Sequence, residues 1–154
     1  DFLRFFFSNQ RGLIKIQEKI DILRGKLTKK GENMANTFKT VSFAAEPASA
    51  GTPYKVYTVA GSTTTVVLGL RLTNIHSASV TVEVELVSDT ANRGGANNVA
   101  NGTAFLAKDV TIPAGSSLEI IAGSKINLEA TDEIKIDCSV ADKVSGVLSV
   151  MEIT

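Results

Sequence analysis

Residues 34 to 154 are predicted to form an all-β domain, an antiparallel β-sandwich of about eight to nine short strands with a jelly-roll-like or immunoglobulin-like order. Three observations predict it. Apolar residues recur with a period of two: Val66, Leu68, Leu70 and Leu72, then Val80, Val82, Val84 and Leu86, the spacing that puts one face of a strand in a core and the other in water. Turn residues punctuate the runs, as in Pro113-Ala114-Gly115, Ala122-Gly123-Ser124 and Ala130-Thr131-Asp132. No helical period appears after Met34, which excludes alternating strand and helix units.

Taken in order, strands are expected at 37–43, 54–59, 66–72, 80–87, 104–108, 117–121, 125–128, 133–140 and 144–153. The connection Asn74-Ile75-His76-Ser77-Ala78-Ser79 is short and polar, so the strands on either side are expected to pair as a hairpin. Ala122-Gly123-Ser124 is expected to be a turn between two strands. The last run carries Leu148, Val150, Met151 and Ile153 on both faces, which suits a central strand or one covered by another copy of the chain.

Residues 1 to 33 differ in kind. They hold eight basic and four acidic residues, a net of +4, against eight and twelve, a net of −4, in residues 34 to 154. Leu13, Ile16, Ile20, Leu23 and Leu27 step by three and four, the stripe of a short amphipathic helix. A second reading is genetic. Met34-Ala35-Asn36-Thr37 looks like a protein start, and Lys30-Gly31-Glu32 can be encoded with the purine-rich AAGGAG of a bacterial ribosome-binding site. On that reading residues 1 to 33 are translated leader. Either way they stand outside the core.

The same inventory argues against catalysis. Cys138 is the lone cysteine and sits in the alternating run Ile134, Ile136, Cys138, Val140, where a small apolar residue packs. His76, the lone histidine, reads as a surface turn residue with no second histidine or cysteine to share a metal. Glu83 and Glu85 point the same way from one strand and carry chemistry only if they share a pocket; beside Thr81 they read as a solvated face. Gly69, Gly94 and Gly95 lack the surroundings of a phosphate-binding loop. No enzyme, metal or cofactor is expected.

Nucleic acid is disfavoured as a partner by the −4 of residues 34 to 154. A membrane is disfavoured because no stretch reaches the roughly 20 apolar residues a spanning helix needs, and the run at Phe5 to Phe7 is too short for a signal peptide. The segment from Ser88 to Thr103, SDTANRGGANNVANGT, has the composition of a long recognition loop. Arg93, Asn92, Asn97 and Asn98 are its expected partner-contact residues. A carbohydrate-binding sandwich is the alternative, with this loop and Tyr54 or Tyr57 on a host-surface glycan, though the chain has two tyrosines and no tryptophan.

The stretch YTVAGSTTTVVLGLRLTN (57–74), then VTVEVEL (80–86), FLAKDVTIPAGSSLEIIAGSKINLEATDEIKI (105–136) and SGVLSVMEIT (145–154) resembles a group of small tailed-bacteriophage virion structural proteins. Their recurring elements are a YTVP-like opening, a V-x-G-L-x-L-x-N strand, an I-P-x-G-S-S-L turn and strand, a G-D-x-(I/L)-K-V strand and a closing L-S-V-x-E. This chain departs in having Ala60 where proline is common and Thr131-Asp132 in place of Gly-Asp. The resemblance spans most of residues 52 to 154. It carries over no catalytic residue. It implies a virion component assembled in a bacterial host's cytoplasm, decorating the capsid or belonging to the neck or tail, and touching copies of itself and other virion proteins.

Overall fold

A computed structural model describes Lys19, residues 35–88 and residues 102–154. The chain divides into two units, Asp1–Met34 and Ala35–Thr154. In the first, Lys19 is helical and exposed; the expected apolar stripe lies outside the described residues.

The second unit is a sandwich of two antiparallel four-stranded sheets. Its strands are β1 (Asn36–Glu46), β2 (Tyr54–Thr58), β3 (Thr64–Asn74), β4 (Val80–Val87), β5 (Thr103–Ile112), β6 (Ser117–Leu128), β7 (Glu133–Cys138) and β8 (Val144–Ile153). One sheet runs β1-β8-β3-β6 and the other β2-β7-β4-β5. That interleaving, with every successive strand passing to the other sheet except β5, which pairs with β4, is the order of an eight-stranded jelly roll. It decides between the two orders the sequence left open.

Alternation does the folding work. On β8, Val144, Leu148 and Val150 are buried while Ser145, Val147 and Ser149 face outward; on β7, Ile134, Ile136 and Cys138 face in. The inward sets meet between the sheets, where Leu70, Leu72, Ile112, Leu128, Ile134, Ile136 and Leu148 are almost wholly removed from solvent. Each such side chain contributes about 2 kcal/mol of transfer free energy. β8 lies centrally, between β1 and β3, as its two-faced apolar pattern predicts.

Three expectations need correction. Val66, Leu68, Leu70 and Leu72 do not share one face: Val67, Leu70 and Leu72 are buried while Val66 lies opposite the outward Met151, because the register shifts between Val67 and Gly69. β3 and β4 do not pair: they belong to different sheets, and residues 75–79 turn the corner between them. Asn74 holds that corner, fully buried. Its Nδ2 donates to the carbonyls of Ala78 and Ile112 at 2.9 Å each, and its Oδ1 accepts from the His76 amide at 2.7 Å. Its hydrogen-bonding side chain replaces ladder bonds that the corner gives up. Residues 117–128 are likewise one strand, not two. Against β3 the register steps from Val67↔Ile126 to Gly69↔Ala122, so β6 carries extra residues in a bulge, with Gly123 at φ +78°. The glycine that looked like a turn supplies a bulge.

Candidate functional site

Among the described residues no group of three or more His, Cys, Asp and Glu side chains could hold a metal ion. Cys138 is buried, and burial pushes its thiol above the ordinary value, which suits a packing role. His76 is half-buried rather than a freely exposed turn residue, and its Nδ1 is buried without a hydrogen-bond partner. Glu83 and Glu85 do not converge on one pocket. Glu83 borders a shallow hollow with Thr81, Asp109, Asp137 and Ser139 and is paired with Lys108; Glu85 stands opposite Lys135 on β7. The Lys108 ammonium also lies 4.6 Å from the centre of the Phe105 ring. These are charges matched on a sheet surface.

Arg93, Asn92, Asn97 and Asn98 lie outside the described residues. The ends of their segment are described: the Ser88 amide donates to Gly102 O at 2.8 Å, and Val87 stands opposite Thr103. The segment therefore joins β4 to β5 within one sheet.

A polar cluster that sequence reasoning missed sits at one end of the interior. Tyr57 of β2 donates its hydroxyl to Glu152 Oε1 at 2.7 Å and lies 3.0 Å from Thr65 Oγ1. A phenol has one proton to give, so with that proton on Glu152 the Thr65 hydroxyl is the donor to Tyr57. The second carboxylate oxygen of Glu152 takes the Lys39 ammonium of β1 at 2.5 Å. One carboxylate on central β8 thus ties together β1 and β2, an edge strand from each sheet. The Lys39 hydrogen bond, then that of Tyr57, holds the Glu152 carboxyl below the usual carboxylate range, and burial pushes the Tyr57 phenol up to about 12. Both groups are used internally. Tyr54, the other tyrosine, packs on Phe43 with ring centres 5.6 Å apart.

The outward face of the β1-β8-β3-β6 sheet offers something different. Phe38, Met151 and Val66 stand in one row across β1, β8 and β3, because Met151 is opposite Phe38 on one side and Val66 on the other. Phe38 is 72% exposed and Val147, further along β8, is 44% exposed. Ile153 extends the row on β8. Beside it, Gly69, which has no side chain, leaves a shallow hollow bordered by Arg71, Glu119, Val147 and Ser149. The Arg71 guanidinium and Glu119 carboxylate are 3.9 Å apart there. An apolar row flanked by polar groups can bury itself against a matching protein surface.

The chain matches no protein-family model and no curated protein. Among solved structures it is similar to one from Bacillus endospore appendages, described as a novel family of disulfide-linked pili: 15% identity, TM-score 0.39, covering 79% of this chain and 88% of that one. It is also similar to infectious bursal disease virus, Gx strain: 15% identity, TM-score 0.41, covering 76% of this chain and 33% of that one. A third is the VP2 subviral particle of infectious bursal disease virus: 12% identity, TM-score 0.27, covering 79% and 41%.

Proposed function

We propose that this chain is a non-enzymatic structural protein of a tailed-phage virion, decorating the capsid or forming part of the neck or tail through protein-protein contacts with copies of itself and with other virion proteins. The observation that carries the reading is the row Phe38–Met151–Val66 with Val147 and Ile153 beside it. Apolar area left outside on a sheet whose other face already packs a core is what an assembling subunit retains and a solitary one loses. The likeness of residues 52 to 154 to small phage structural proteins supports the same reading.

A glycan-binding module would need aromatic faces free to stack on sugar rings. Tyr57 is engaged with Glu152 and Thr65, and Tyr54 packs on Phe43, so the structural role is the one proposed.

Labelled antibody against the chain, imaged on purified particles, tests the proposal. The expected result is regular decoration at one particle location. Absence of the chain from particles that are otherwise complete would contradict it.

A further inference from the structure

The strand that carries Phe38 is also the rim of its sheet. β1 stands at the end of the order β1-β8-β3-β6, and among the described residues no strand pairs with its far side. In an antiparallel ladder every second residue aims its N–H and C=O away from the neighbour it pairs with, so β1 presents a row of unmade backbone hydrogen bonds. From Asn36 to Phe43 its register against β8 runs without a break; the irregularity comes only between Phe43 and Glu46. The rim is therefore regular over those residues.

Proteins that must stay single protect such an edge with charge, proline or a bulge. Here the stretch NTFKTVS has no proline and one charge, Lys39. That charge is taken up by Glu152 on the inward side. Phe38, Thr40 and Val41 are strand-favouring residues, and Phe38 and Thr40 are exposed. The edge is open.

The geometry points to an antiparallel pairing of β1 with β1 of a second copy, about a twofold axis at Thr40, joining the two β1-β8-β3-β6 sheets into one of eight strands. A twofold axis perpendicular to the sheet keeps both outward faces on one side, so residues opposite each other share a face and the axis must pass through a residue position. Centred on Lys39 the pairing would set two ammonium groups against each other. Centred on Thr40 it sets Thr40 against Thr40 of the other copy, Phe38 against Ser42, Lys39 against Val41 and Thr37 against Phe43. No like charges meet, and the regular part of the strand is used almost in full. The Phe38–Met151–Val66 row of each copy then meets the Ser42–Val147 row of the other, and both outward faces lie on one side of the joined sheet. This inference rests on the reading that the chain assembles with copies of itself, and it names the surface that does so.

The test uses the full chain and its mass in solution by light scattering over a concentration series. Wild type is expected to reach the dimer mass. Thr40→Lys and Thr40→Glu, each facing its own kind across the axis, are expected to stay monomeric, with thermal unfolding like that of wild type at dilutions where wild type is itself monomeric, and an equal mixture of the two is expected to recover the dimer. Under mild oxidation Thr40→Cys is expected to form a disulfide-linked dimer, because Cys138, the native cysteine, is buried. Association of wild type that both charged variants retain, or the absence of a cross-link at Thr40→Cys, would overturn pairing through β1 while leaving self-assembly standing. A wild type that stays monomeric at every concentration would overturn both.

Discussion

The Tyr57 hydroxyl, on an edge strand of one sheet, donates at 2.7 Å to the Glu152 carboxylate on a central strand of the other. This bond crosses the sandwich from β2, a strand of five residues, to the longer strand β8.

Tyr57→Phe should lower stability by about 2 kcal/mol, since it strips a partner from a charged acceptor and from the buried Thr65 hydroxyl. Burial raises the Tyr57 phenol from 10.0 to about 12, so the folded state favours the protonated form. Its contribution is complete below pH 10 and is lost as the pH rises towards 12. Phenolate absorbance followed on titration should show a late step that is missing in Tyr57→Phe.

At the acid end the sign reverses. The folded-state pKa of Glu152 lies below 4.5, chiefly through Lys39 and then Tyr57. Glu133, although burial alone would raise it, is brought below 4.5 by Lys55 and Lys135. Stability from both is present above about pH 4.5 and lost as the pH falls through the folded values. Urea midpoints measured downward from neutral pH should fall in that window. Glu152→Gln should start lower and show a shallower acid slope.

Gly146 of β8 stands opposite Phe43 of β1, whose ring lies over the bare glycine backbone. A Cβ there would lie 2.7 Å from Phe43 Cε1 and 2.9 Å from the Arg71 carbonyl oxygen. Gly146→Ala should therefore destabilise by about 1–3 kcal/mol. Chemical denaturation in a double-mutant cycle with Phe43→Ala should recover part of that loss, the remainder belonging to the Arg71 backbone.

Thr131 has φ +74°, a left-handed conformation that is unfavourable for a β-branched residue. The turn is kept by its neighbours: Asp132 Oδ2 accepts from the Glu129 amide at 3.0 Å, and the Thr131 amide donates to Val59 O at 3.0 Å. Thr131→Gly should raise stability by about 0.5–1 kcal/mol, the relieved strain exceeding the added chain entropy, as an upward shift in melting temperature.

Strand positions were readable because burial on one face imposes a period of two, and that period depends on nothing distant. What the sequence could not convey was partnership. Ala122-Gly123-Ser124 has the same composition whether it reverses the chain or bulges, and only the register of β3 against β6 distinguishes the two. The short polar link after Asn74 likewise fits a hairpin or a corner. The corner depends on the Ile112 carbonyl, far along the chain. The Tyr57–Glu152 pair joins residues 95 positions apart and left no local mark. The apolar outward row was half legible: the two-faced pattern of β8 announced it, whereas Phe38 and Val66 joined it only once β1 and β3 flanked β8.

On the proposed function, the face bearing Phe38, Met151 and Val147 is covered in the assembled particle. Hydroxyl-radical footprinting of the full chain, free and in purified particles, measures this directly. Phe38 and Met151 are expected to label readily in the free chain and to be strongly protected in particles, with Phe105 of the opposite sheet as the internal comparison. Equal labelling of Phe38 and Met151 in the two states would contradict it.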